Sequence, residues 1–159
     1  MANITPDTDL VIKWLDDIKL DNYICAQCHG IHISDIQTME GVMDSRLFVE
    51  AEGVMASTEI SIRPTGLLPL MADLGRLNMD FAHLKIFVDI QDQDLPKLII
   101  CDHLLAGAGV SQEQFTFFMD VYVPATIDVI KQCADLIAPP EGEEPVESSA
   151  GPSSSPMMH

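Results

Sequence analysis

The chain has 159 residues, which suits one domain and a tail, and its 8 Lys and Arg stand against 25 Asp and Glu for a net charge of −17. A surface that acidic repels a phosphate backbone and an anionic bilayer alike, which argues against direct nucleic-acid binding and membrane-surface attachment. No run approaches the ~20 apolar residues needed to span a bilayer, and the N-terminus has no cationic segment leading into an apolar one. The expected location is therefore the cytoplasm, with the 4 Cys as free thiols.

The first element is a helix over residues 5–20. Thr5 stands as its N-cap, Pro6 takes the first helical position, and Leu10, Val11, Trp14, Leu15 and Ile18 recur at helical spacing. "DNYICAQC" then reads as a turn and a short strand, and "HGIHIS" as a turn with a few extended residues.

Between 41 and 63 the period becomes two. Met43, Ser45, Leu47 and Val49 share one face of a strand, with Asp44, Arg46, Phe48 and Glu50 opposite. Val54, Ala56, Thr58, Ile60 and Ile62 share one face of the next, with Glu59, Ser61 and Arg63 opposite, and the two form a hairpin. A helix follows from about Thr65, with Pro69 tolerated near its first turn. "HLKIFVDI" and "KLIICDHLL" are two more strands, the second apolar on both faces and so internal in the sheet. Ser111 and Gln114 have capping-box spacing, and Val110 with Phe115 fits a hydrophobic staple. The helix they open should run to about Ala138 with a kink at Pro124. The fold class is α+β, an antiparallel sheet flanked by helices in the order α-β-β-β-α-β-β-α, as one domain over 1–138. Residues 139–159 are a disordered acidic Pro/Ser-rich tail.

The chemistry-bearing stretch is "CAQCHG". Cys25, Cys28 and His29 have the spacing of covalent haem attachment, but that chemistry belongs to exported proteins and the motif lies in a strand-turn. For zinc, Cys25 and Cys28 supply two ligands and His29 or His32 a third, with no second Cys-x-x-Cys to complete the set. A redox pair would need a helix N-terminus or a cation beside one thiol, and none is near in sequence. The plainer account puts Cys25 buried on a strand with Cys28 at its end, and on it the chain carries no metal and no cofactor. The acids Asp89, Asp92 and Asp94 lack the glycine and glutamate of a calcium loop and read as a solvated turn. His83 and His103 occupy strand positions without a visible partner, and the sequence offers no catalytic constellation. At about 100° per residue, Phe117 and Val121 fall on the polar side of the last helix, among Asp120, Asp128, Lys131 and Asp135. They are the candidate partner-binding residues, set against the ordinary occurrence of single exposed apolar side chains.

"KWLDDIKLDNYICAQC", "GVMDSRLFVEAEGVMASTEISIRPTGLLPLMADLGRLN" and "VDIQDQDLPKLIICDHL" together resemble the YbjN family of bacterial sensory-transduction regulators, in order over about residues 10–135. The amylovoran-regulating proteins of plant-pathogenic enterobacteria belong to that group. The resemblance implies a fold similar to type III secretion chaperones and a cytoplasmic regulator, often negative, of exopolysaccharide production, motility and virulence or stress responses. It carries no catalytic residue onto this chain. The expected partner is another regulatory protein, with a homodimer also considered. The alternatives are a secretion-type chaperone that binds an extended client segment and, more weakly, a zinc or thiol sensor built on Cys25 and Cys28.

Overall fold

A computed structural model describes residues 2–139. The sequence assigned to the disordered tail lies, beyond Pro139, outside the described residues.

Helix α1 covers Thr8–Asp17 and begins later than its periodicity suggests. Asp7, not Thr5, is the N-cap: its carboxylate accepts from the Leu10 amide at 2.8 Å. A carboxylate in this position satisfies an orphan amide and complements the positive end of the helix dipole. Val11, Trp14 and Leu15 form its buried stripe.

Strands β1 (Asn22–Ile24) and β2 (Ile31–Ile33) make a small hairpin whose loop is the cysteine segment. One further turn of helix, α2 (Ser34–Gln37), has no counterpart in the expected order and is too short to show a period. Strands β3 (Val42–Val49) and β4 (Gly53–Ser61) form the expected hairpin. Val54, Ala56, Thr58, Ile60 and Ile62 are all fully buried, as the alternation requires. Met43 departs from the expected face and is exposed. The register between β3 and β4 shifts between Val42 and Asp44, and such a bulge re-aims the side chains beside it.

A 3₁₀ turn at Pro64–Gly66 leads into α3 (Leu67–Asp80), which places Pro69 third in the helix, where its missing amide costs nothing. Strands β5 (Lys85–Asp89) and β6 (Lys97–Leu105) complete a six-stranded antiparallel sheet in the order β1-β2-β3-β4-β6-β5. β6 is internal, as its two apolar faces imply.

Helix α4 (Gln112–Gln132) is opened by the capping box: the Ser111 hydroxyl accepts from the Gln114 amide at 3.2 Å, and the Ser111 amide donates to Gln114 Oε1 at 2.8 Å. Pro124 lies inside it. The helix ends at Gln132, short of Ala138, and a 3₁₀ turn at Ala134–Leu136 follows. That turn lets Ala138 donate to the Ser61 carbonyl at 2.9 Å, a contact a continued helix would forgo.

The helices share one core with the inward face of the sheet. A chain of hydroxyls crosses this core: Ser45 Oγ to Thr58 Oγ1 at 2.9 Å, then Thr58 Oγ1 to Tyr122 OH at 2.7 Å. Tyr122 also reaches the Ile100 carbonyl at 3.4 Å, so α4 is fastened to the middle of the sheet by polar bonds as well as by packing. Burial raises the Tyr122 phenol above its ordinary range, so it stays a neutral hydrogen-bonding group.

The opposite sheet face is open. Pairing aligns Tyr23, His32, Arg46, Ser57, Cys101 and Lys85 in one row across all six strands. Because directly paired residues share a face, the row runs along the open side, from the cysteine loop at one edge to β5 at the other. Phe48, Met55, Phe87 and His103 lie on the same side.

Candidate functional site

The β1–β2 loop carries the densest chemistry among the described residues. Two short strands bring its ends together, with the Cys25 amide donating to the Gly30 carbonyl at 3.1 Å and the His29 amide to the Cys25 carbonyl at 3.0 Å. His29 takes a left-handed φ of 57°, which turns the chain back on itself. The Gly30 amide then donates to Cys28 Sγ at 3.4 Å. Gly30 is buried between the loop and the neighbouring strand; a Cβ there would stand 3.2 Å from both the Arg46 and the Phe48 side chains.

The thiols of Cys25 and Cys28 and the ring of His32 converge, with one ligand atom from each lying within 4.8 Å of the others. Cys25 and Cys28 are half-buried, and His32 is 5% exposed. The expected burial of Cys25 on a strand is therefore corrected: β1 ends at Ile24, and both cysteines sit on the loop. Of the two histidines considered as a third ligand, His32 joins the cluster and His29 does not. His29 is exposed on the outside of the turn.

His32 is held from all sides. Tyr23 stacks on its ring with centroids 4.7 Å apart and planes 5° from parallel. His32 Nδ1 is 2.9 Å from Gln37 Oε1. The Gln37 amide is itself oriented by the backbone, since its Nε2 donates to the Met43 carbonyl and its Oε1 accepts from the Ser45 amide, both at 2.8 Å. Gln37 Oε1 can thus only accept, so Nδ1 carries the proton and donates. In the neutral ring the Nε2 lone pair is then bare, and it faces Cys28 Sγ at 3.5 Å. The short helix α2 places Gln37 at this point and buries Ile36 in the core.

Cys28 is an acidic thiol, lowered to about 6. The main cause is the Gly30 amide aimed at its sulfur, opposed by partial burial; Cys25 and Arg46 add smaller hydrogen bonds, as does His32 when Nε2 also carries a proton. The sequence shows no cation near this thiol. Strand pairing supplies one, because His32 on β2 is in register with Arg46 on β3. Arg46 also lies over the Phe48 ring at 5.1 Å and 3.5 Å from Glu59. Burial raises the thiols of Cys101 and Cys133.

A second surface lies at the far end of the sheet. Met55, Phe87, Cys101 and His103 border a hollow on the open face, together with His83, Lys85 and Asp102. His83 is in the turn before β5 and not on a strand. A second hollow is bordered by Leu104, Phe117, Phe118 and Val121 and shares His83 and Asp102 with the first. The two candidate partner-binding residues therefore meet in one groove, where Phe117 is 71% exposed and Val121 half-buried. Burial raises the Asp102 carboxyl, opposed by the His103 amide. Asp89 ends β5, Asp92 and Asp94 lie in the turn between β5 and β6, and the three gather no ligand set.

No helix of the described residues is long and apolar enough to cross a membrane. A single helical layer on an antiparallel sheet, with the opposite sheet face open, defines a small α+β protein. The family model for YbjN, described as "Putative bacterial sensory transduction regulator", matches residues 7–134. YbjN of Escherichia coli K12 is 34% identical over 116 residues, which is 73% of each chain, and YbjN of Shigella flexneri matches equally well. The crystal structure of YbjN from E. coli superposes with a TM-score of 0.81 at 31% identity, covering 87% of this chain and 99% of that one. The chain belongs to the YbjN family.

Proposed function

We propose that this protein is a non-enzymatic cytoplasmic regulator that acts by docking onto another regulatory protein. Its physiological output, as the family resemblance implies, is exopolysaccharide production, motility and virulence or stress responses, with negative sign. The observation that carries the reading is the continuous uncovered surface from Met55 and Phe87, past His83 and Asp102, to Leu104, Phe117 and Val121. An exposed apolar patch with a polar rim is the usual mark of a protein interface. The net charge of −17 supports a protein partner over an operator.

A chaperone that pairs an extended client with a sheet edge fits less well. At the β5 edge, Asn78 from α3 donates to the Ile86 carbonyl at 2.9 Å and accepts from the Ile86 amide at 3.0 Å. A side-chain amide thus occupies the outward amide and carbonyl of Ile86, in the middle of the edge that an added strand would pair with.

The test is complementation in a strain lacking the protein. Wild type restores the regulated output, whereas Phe87→Glu and Phe117→Glu accumulate as folded protein and fail to do so. Full activity of both variants, or a tight, salt-sensitive shift of DNA by the purified protein, would sink the reading.

A further inference from the structure

From the Cys25–Cys28–His32 corner we infer that the chain binds one zinc ion through Cys25 Sγ, Cys28 Sγ and His32 Nε2. The inference is independent of the docking surface, which lies at the other end of the sheet.

Three independent features carry it. The first is spacing. A thiolate at about 2.3 Å and an imidazole nitrogen at about 2.05 Å from one tetrahedral zinc stand about 3.5 Å apart, and Cys28 Sγ and His32 Nε2 are 3.5 Å apart. The whole trio lies within 4.8 Å, against about 3.8 Å for two thiolates on one zinc. A rotation of the half-buried Cys25 side chain would close that difference.

The second is the orientation of His32. Metal-ligating histidines almost always donate their other ring N–H to a fixed acceptor, which sets the tautomer and turns the lone pair to the metal. Gln37 Oε1 is such an acceptor, locked in turn by the Met43 carbonyl and the Ser45 amide. The ring is 5% exposed and its bare nitrogen faces a thiol.

The third is charge. Two thiolates, a neutral imidazole and a divalent cation sum to zero, so the partly buried corner holds the ion without a net charge to solvate. The Gly30 amide points at Cys28 Sγ, the direction that stabilises a coordinated thiolate.

The donor set selects the metal. Calcium and magnesium take oxygen ligands, and iron–sulfur clusters take four sulfurs or two sulfurs and two imidazoles on each pair of irons. Two sulfurs and one imidazole suit zinc, with the fourth position taken by water, as in zinc sites with three protein ligands. On binding, each thiol that is still protonated releases its proton to solvent, and no oxidant or reductant is involved.

The full chain, reduced and stripped with chelator, is titrated with zinc and separately with cobalt(II) as a spectroscopic stand-in. The expected result is one ion per chain, with the thiolate charge-transfer and ligand-field bands of tetrahedral cobalt. Cys25→Ser and Cys28→Ser keep the fold by circular dichroism and lose the bands. Exposed His29→Ala keeps them, and Gln37→Ala binds about 10–100-fold more weakly, the usual penalty for losing the group that orients a ligating histidine. Four outcomes overturn the inference: no uptake by reduced wild type, octahedral cobalt bands, uptake that survives Cys28→Ser, or loss of binding in His29→Ala with none in Cys25→Ser.

Discussion

The hydroxyl chain under α4 gives the sharpest stability prediction. Thr58 Oγ1 stands between Ser45 Oγ at 2.9 Å and Tyr122 OH at 2.7 Å, and all three residues are buried. Thr58→Val keeps the shape but removes the shared partner. Ser45 Oγ then has no hydrogen bond, and Tyr122 keeps only the long one to the Ile100 carbonyl at 3.4 Å. One fully stranded and one weakened buried hydroxyl, at about 1–3 kcal/mol for each stranded group, put the loss at roughly 2–4 kcal/mol. For a domain of this size that lowers the melting temperature by about 6–14 °C. Tyr122→Phe removes the end of the chain instead and leaves the Ser45–Thr58 pair intact, so it costs only about 1 kcal/mol. Replacing all three (Ser45→Ala, Thr58→Val, Tyr122→Phe) removes every polar group at once and should be less destabilising than Thr58→Val alone. Chemical denaturation of the four proteins measures this directly. If the triple variant loses at least as much stability as Thr58→Val and Tyr122→Phe added together, the hydroxyls do not act as one network and the reasoning fails.

Two further outcomes follow from the loop and the glycines. In metal-free protein, alkylation of Cys28 rises with a midpoint near 6, well below the ordinary thiol range, and Arg46→Ala moves that midpoint upward. The folded-state value is depressed, so the stabilisation it brings is present above the ordinary thiol range and disappears as pH falls through about 6; a midpoint of 8 or above would contradict the geometry around this sulfur. Gly53 has φ +150° and no room for a Cβ, which would lie 1.9 Å from the Leu104 carbonyl oxygen, whereas a Cβ on Gly75 in α3 meets nothing within 4 Å. Gly53→Ala should therefore be strongly destabilising and Gly75→Ala stabilising by about 0.5–1 kcal/mol, with thermal melts as the check.

Local chemistry made much of the fold legible. Ser111 and Gln114 announce their helix because a capping box is complete within four residues, and the inward set from Val54 to Ile62 announces its strand because alternation needs no distant partner. What sequence missed depends on partners far along the chain. The end of α4 is decided by where Ala138 meets Ser61, and the outward turn of Met43 by a register shift against β4. Thr5 and Asp7 both suit an N-cap, and only the path of the preceding chain chooses Asp7. The cysteine corner shows the same division. The Cys-x-x-Cys spacing is plain, but His32 and not His29 completes the cluster because strand alternation turns it to the Tyr23 and Arg46 face. Gln37 sits on a helix too short to announce itself, and Arg46 approaches Cys28 only through pairing of β2 with β3. Phe117 could be read from the helical wheel, but its groove with Leu104 and the meeting at His83 and Asp102 could not.

The most direct test of the docking account is site-specific photo-crosslinking in living cells. A photoreactive residue is placed in turn at Phe87, at Phe117 and at Leu68, which is exposed on α3 away from both hollows. The account predicts a covalent adduct to one and the same protein from positions 87 and 117 and none from 68. Adducts that form equally at 68, or that fail to form at both 87 and 117, would contradict it.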